Sequence, residues 1–433
     1  MHRIILSIVA LASFPLTACG FPSQLPPSAN TEVTGERQVA ASVSADPGPV
    51  LLLPEPQAPQ PAASAGLSGA WGGWRERLAQ QGVELSLTVT LEGNSVLAGG
   101  VRQNTSGHAL IDLTGNLDLD RIFGWHDALL SVQGYAIRGH NPSEDAGDFQ
   151  YFSSTSSGRE VTQIAQLFFE QWYSERSLRL KFGKWDGNAE FGFAGNTGKS
   201  IHASSVFSPT YFTMPTYPNP ATGILAGWVP AEDWTIQAAV MDGAGWTGVN
   251  TGSTGPSTFF GAPSDLFAIT ELAHRWQTEG EALAGGLSLG AWHHSGDFFT
   301  TGGGVDSGTM GFYATLDQEL ARNDNGAIAG FVQLGLADRD VAPVDLHLGG
   351  GIGQIGLGEG HEDDGYGLYA SYAHFSTDAG FSESAETAVE LYLTWTLREG
   401  VILQPDLAYI VNPGSDAGLD NALVFTLRCV LGF

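Results

Sequence analysis

Hydrophobic and polar residues alternate with a period of two along much of this chain, most cleanly over its last eleven positions. Leu423, Phe425, Leu427, Cys429, Leu431 and Phe433 form an apolar face, while Val424, Thr426, Arg428, Val430 and Gly432 form one that carries a full charge. Successive side chains of a strand point to opposite sides, so this pattern predicts a strand between two unlike environments. The same reading places strands at 85–91, 111–119, 178–182, 234–240 and 389–397, with noisier ones at 287–294, 312–319, 328–336 and 366–374. With their flanks these approach the length that a tilted membrane strand requires. A long apolar face backed by charge predicts lipid outside and water within. Residues 69–82 predict a short amphipathic helix ending at Gly82, and the stretch from Trp185 to Pro230 predicts one long loop bearing Phe191, Phe193, Phe207, Tyr211, Phe212 and Tyr217.

Composition sharpens this picture. Charged residues are 15% of the 433 positions, against roughly 25% in soluble domains. Hydrophobic residues reach only 42%, and after the N-terminus no apolar run approaches the ~20 residues of a spanning helix. Low charge without helical spans fits a transmembrane β-barrel, and 58 glycines supply many turns. The net charge of -28 argues against nucleic acid or an anionic substrate as partner. Acidic surface loops that aid solubility explain the charge equally well. The closing aromatic residue, Phe433, is similar to the terminal signature of bacterial outer-membrane barrels.

The first residues have a basic start (His2, Arg3) and an apolar core from Ile4 to Leu16, so 1–18 is expected to be a secretory signal. Leu16-Thr17-Ala18-Cys19 resembles a lipobox, in which Cys19 would be acylated; a simple peptidase site is the alternative. Residues 19–66, rich in Pro, Ala and Ser, predict a disordered tether, and 67–433 the barrel. Cys429 then stands alone on the lipid side, so no disulfide framework is expected. At roughly 23 residues per strand and connection, the barrel takes about sixteen strands. The expected fold is all-β: a transmembrane antiparallel barrel with a short N-terminal periplasmic helix.

Several stretches carry a resemblance. They are Gly69-Ala70-Trp71-Gly72-Gly73-Trp74 with Arg75, Leu78 and Gly82; Gly99-Gly100; Leu117-Asp118-Leu119-Asp120 with Gly124-Trp125; and Glu170-Gln171 with Phe182-Gly183-Lys184, Asp186 and Phe191. The close adds Glu390-Leu391-Tyr392, Gln404-Pro405-Asp406, Tyr409-Ile410, Asn412-Pro413-Gly414 and Asp420-Asn421-Ala422-Leu423-Val424. In this order they resemble the carbohydrate-selective porin (OprB) family. The resemblance implies a Gram-negative outer-membrane barrel of sixteen strands, through which mono- or oligosaccharides diffuse passively past inward loops. It also implies a constriction arginine, whose nearest match is Arg138, and an acidic partner, for which Glu160 stands beside Arg159. Arg138 is left open between a loop in the mouth and the surface. The chain departs from the family pattern at Gln163 and Phe168, which puts the sugar preference in doubt.

Strand parity places Asp112, Gln166, Glu170, Arg179, Lys181, Glu390, Arg398, Gln404, Asp406 and Arg428 in the lumen. An outward Arg or Lys would cost about 2–4 kcal/mol at mid-bilayer. A sugar channel needs aromatic faces for C–H surfaces and fixed polar groups for hydroxyls, and charge-assisted bonds are the stronger ones. Each of these residues is read either as a sugar contact or as a wall ion pair. Saccharides and outer-membrane lipid are the expected partners, with a homotrimer as the oligomeric form to test. No enzyme activity, cofactor, metal or nucleic acid is expected.

Other motifs point less far. Gly351-Ile352-Gly353-Gln354-Ile355-Gly356 spells a dinucleotide pattern without its helix, and Gly286-Leu287-Ser288-Leu289-Gly290 spells a nucleophile elbow inside an alternating run. His293 and His294 are adjacent and so predicted to face opposite sides, and Asp363-Asp364 near His361 reads as a solvated loop. Two other functions compete: a lipid-anchored β-rich glycan hydrolase or binding module, and a cation-preferring pore. The terminal strand speaks against the first, because an anchored soluble domain would need a closed apolar core.

Overall fold

The computed structural model describes residues 66–194, 199–262, 264–276, 283–300, 303–323, 326–376 and 380–433. The expected signal, Cys19 and nearly all of the tether lie outside the described residues. The alternating segments form sixteen antiparallel strands closed into a barrel, each paired with its chain neighbours and β1 with β16. The first eight are β1 Val83–Ala98, β2 Thr105–Asp118, β3 Ala128–Gly139, β4 Val161–Tyr173, β5 Leu178–Trp185, β6 Ala221–Ala231, β7 Trp234–Asp242 and β8 Leu266–Trp276. The second eight are β9 Gly285–Phe299, β10 Val305–Asn323, β11 Gly326–Ala337, β12 Val344–Ile355, β13 Gly365–Phe375, β14 Ala385–Arg398, β15 Val401–Val411 and β16 Ala422–Gly432. Closure leaves no unpaired edge, as a membrane-spanning sheet requires.

Parity along β16 matches the alternation read from the sequence. Phe425 and Leu427 are 39% and 43% exposed, whereas Thr426 and Arg428 are 0% and 2% exposed. The apolar row therefore faces the bilayer and the charged row faces inward. Strand β4 breaks this simple rule. Gln133 of β3 pairs with Gln166 and Gly134 pairs with Ile164, so Ala165 is an extra residue. This bulge switches the inward row from odd to even numbers and brings both Gln163 and Gln166 inside.

Inward glycines make room for inward aromatic rings on a neighbouring strand. A Cβ on Gly290 would lie 2.0 Å from the Tyr313 ring, one on Gly351 2.8 Å from Phe331, and one on Gly367 2.2 Å from the Tyr392 hydroxyl. Gly351 and Gly353 of the apparent dinucleotide motif and Gly286 and Gly290 of the apparent nucleophile elbow are thus wall positions in β12 and β9, and Gly356 follows the end of β12. His294 is buried inside while His293 is exposed, as adjacent strand residues should be.

The first described residues and the C-terminal strand meet at the end of the barrel with the shorter turns. A helix, Trp74–Gln80, lies beneath it. Arg75 Nη2 donates to the Phe433 carbonyl at 2.7 Å, Leu67 N to Gly432 O at 2.8 Å, and Phe433 N to Leu87 O at 2.9 Å. Gly82 (φ +85) closes the helix where a Cβ would meet Asp118 O at 2.8 Å. Trp125, Tyr173, Trp228 and Trp234 ring the outer surface near this end as an interfacial belt. Short turns mark it as periplasmic and the longer loops as extracellular.

Candidate functional site

Two extracellular loops fold into the barrel, L2 (140–160) and L3 (186–220, described except for 195–198). The stretch expected as one loop to Pro230 is shorter than that, because 221–231 is strand β6. Pro230 is accommodated near the strand's end, beyond Trp228, where the register with β7 shifts. L3 packs Phe191, Tyr211 and Met214 against Trp185, Leu225, Met241, Phe267, Trp292 and Tyr313 of the wall. L2 puts Ala146 and Phe152 among Val96, Ala388, Ile410 and Val424. The loops touch each other where Ser154 N donates to Ile201 O at 2.7 Å and Ala203 N to Tyr151 O at 2.9 Å.

Carboxylates hold both loops. Glu92 of β1 accepts from Ser153 Oγ at 2.9 Å and Thr155 Oγ1 at 2.6 Å, while Arg428 Nε donates to Glu92 at 2.6 Å. Glu386 accepts from the backbone N–H groups of Phe149 (2.8 Å), Gln150 (3.0 Å) and Gly414 (2.6 Å), joining L2 and the loop 412–421 to β14. Glu390 accepts from Ile201 N at 2.7 Å and from the Ser200 hydroxyl. Glu271 accepts from Gly192 N at 3.0 Å and Tyr313 Oη at 2.8 Å. Charge-assisted bonds of this kind are roughly twice as strong as neutral ones.

The densest charge cluster joins L3 to β4 and β5. Arg179 donates to Glu170 at 2.6 Å and to Glu190 at 2.7 Å, and Lys181 donates to Glu190 at 2.6 Å. Trp172 Nε1 donates to Glu170 at 2.9 Å, and the Lys181 ammonium lies 3.6 Å from the Phe168 ring centroid. Burial opposes ionisation of Glu190, but Arg179 and Lys181 outweigh it and hold its carboxyl at about 2. Elsewhere in the loops, burial and the nearby charge of Glu386 push the Asp148 carboxyl up to about 7. Burial pushes His202 down to about 3. Its Nδ1 is bonded to Ser204 Oγ at 2.8 Å, and its Nε2 has no hydrogen-bond partner among the described residues.

Most of the residues assigned to the lumen by parity face inward, in four groups. Glu170, Arg179 and Lys181 meet Glu190; Arg428 meets Glu92; and Glu390, Gln404 and Asp406 lie by L3, where Gln404 Nε2 donates to Lys199 O at 3.2 Å. Gln166 donates to Gln133, and Asp112 accepts from Gln133 Nε2 at 3.4 Å and Thr114 Oγ1 at 3.2 Å. Arg398 is the last residue of β14 and is exposed at the periplasmic mouth, away from every cluster. Arg138 and Glu160 are not in the constriction. Arg138 has the outward parity of β3, since Tyr135 and Ile137 face in, and Glu160 is exposed at the rim with Gly139 N donating to it at 3.3 Å. Sequence reading missed Glu92, Glu190, Glu271 and Glu386 as loop anchors. Glu92 already stood on the polar face of its segment; the others gave no local signal.

The model for the family described as "Carbohydrate-selective porin, OprB family" matches residues 108–433. The chain belongs to that family. Porin B of Pseudomonas aeruginosa is 22% identical, aligned over 83% of this chain and 89% of that protein. The putative porin QuiX of Acinetobacter baylyi is 21% identical, over 85% of this chain and 93% of its own. The high-pH structure of Pseudomonas putida OprB shares the fold with a TM-score of 0.75 at 19% identity, covering 86% of this chain and 99% of that one. This OprB-family chain is an outer-membrane barrel of the Gram-negative type, and its family and fold are those of a channel.

Proposed function

We propose that this OprB-family porin passes neutral mono- and oligosaccharides into the periplasm by passive diffusion past L2 and L3. The observation that carries this reading is the distribution of charge inside the barrel. Arg179, Lys181 and Arg428 are each paired with a carboxylate. Among the described residues, Asp112, Asp186, Glu271, Glu386 and Glu390 are buried without an ion pair. These carboxyls are taken up by hydrogen bonds to loop and wall groups, so the lumen presents paired charges and fixed donors and acceptors, for which hydroxyl-rich neutral solutes exchange hydration. The paired wall charges chiefly hold the loops.

The chain's net charge of -28 supports a second reading, a preference for small cations. Planar-bilayer recordings separate the two. Glucose or maltose should reduce the current, and a salt gradient should give a reversal potential of the cationic sign. If neutral sugars neither block current nor speed liposome swelling, the carbohydrate reading fails and the cation reading stands. Acylation of Cys19 is proposed from Leu16-Thr17-Ala18-Cys19, with the intact mass of the mature protein as its test. A homotrimer is the proposed assembly, to be checked by mass photometry in detergent.

A further inference from the structure

Arg138 is left unused by transport. Leu91 pairs with Ala109, and Ala109 with Arg138, so these three share an outward row across β1, β2 and β3. With Gly107 they border a shallow groove of about 330 Å³ on the outer wall. Ile137 O and Val161 O accept from Arg138 Nη1 at 2.7 and 2.8 Å, and Thr162 Oγ1 accepts from Nη2. A guanidinium has five N–H donors, so these bonds fix the group and leave two for another acceptor. The side chain is exposed, and β3 ends one residue later at Gly139. The group therefore stands where the apolar band gives way to headgroups on the extracellular side, a depth at which an outward arginine is tolerated. Arg159 is exposed nearby, as is Glu160, whose carboxylate faces the Gly139 N–H.

We propose that this groove binds a phosphorylated glycolipid of the outer leaflet, with its phosphate on Arg138 and an acyl chain along Ala109 and Leu91. Two features select that occupant over a soluble anion. The floor is apolar and continuous with the lipid-facing wall. The fork of a guanidinium matches phosphate geometry. Glu160 opposes the phosphate, and this makes the site sensitive to its substitution.

The test uses the full porin in vesicles of phosphatidylethanolamine doped with lipid A, a phosphorylated acylated disaccharide, or with its dephosphorylated form. Native mass spectrometry counts retained glycolipid for the wild type, Arg138→Gln, Arg138→Lys and a control, Arg339→Gln, at an exposed arginine just past the end of β11. Loss of one charge-assisted phosphate contact should lower retention of lipid A about tenfold in Arg138→Gln. Arg138→Lys should fall between, Arg339→Gln should match wild type, and Glu160→Gln should retain more. The dephosphorylated lipid should bind wild type no better than lipid A binds Arg138→Gln. Heat-modifiable migration on gels establishes that each variant is folded. Unchanged retention in Arg138→Gln overturns the proposal. So does displacement of lipid A by inorganic phosphate alone, which would mark a free-anion site. A change of oligomeric mass without a change in bound lipid assigns the groove to a second copy and also overturns it.

Discussion

Replacing Glu190 by Gln removes the one L3 carboxylate that Arg179 and Lys181 share. Arg179 keeps Glu170, but among the described residues Lys181 loses its ion pair. The size of the effect follows from the carboxyl's own titration. It stands at about 2 in place of an ordinary 4.5, with the group 7% exposed, so solvent screening takes little away. At about 1.4 kcal/mol per pH unit, that displacement favours docked L3 by about 3 kcal/mol at neutral pH. Undocking of L3 should then be about a hundredfold more frequent in Glu190→Gln. A lowered carboxylate stabilises above its unperturbed value and loses that contribution as pH falls from 4.5 towards 2. Wild type and variant should therefore converge in strong acid. Hydrogen exchange over 186–194 and 199–220, with single-channel current noise beside it, reads both effects. Equal protection and equal noise at pH 7 would refute the claim that this cluster docks L3.

Other outcomes follow from neighbouring contacts. His202, held near 3 by burial, must stay neutral while L3 is docked; docking should weaken by about 1.4 kcal/mol per pH unit from about 6.5 downward, and His202→Gln should flatten that slope in exchange experiments. Arg428→Met leaves Glu92 buried without its cation, which should cost about 3–5 kcal/mol and expose L2 to proteolysis within 140–160. Gly290→Val drives a side chain into the Tyr313 ring and should lower the heat-modification midpoint, at a cost of at least about 2 kcal/mol. Leu427→Arg, on the lipid row, should cost about 2–4 kcal/mol if near mid-bilayer, read as a lower folded fraction in vesicles.

Strand parity was legible because a barrel wall separates two solvents, and that contrast is written every second residue, as in Leu427 and Arg428. It held for β5 and β14 as well, and so put Arg179, Lys181 and Glu390 inside. It could not foresee the bulge at Ala165, which adds a residue without altering the hydrophobic pattern around it. Strand β6 was hidden because Pro230 and the small residues of 221–231 read as loop. The anchors were illegible for a different reason. Glu386 and Phe149, or Glu390 and Ile201, are far apart in sequence, and only the inward course of L2 and L3 brings them together. Arg138 was drawn towards the constriction by motif order, against the parity of its own strand.

The clasp between Arg75 and the Phe433 carbonyl governs where this protein tolerates additions. Any segment fused after Phe433 would have to begin under that guanidinium and beside Gly66, crowding the seam where β1 meets β16. An affinity label placed in the 300–304 turn, beyond the exposed Phe299 and Val305, leaves the seam alone and reports from the cell surface.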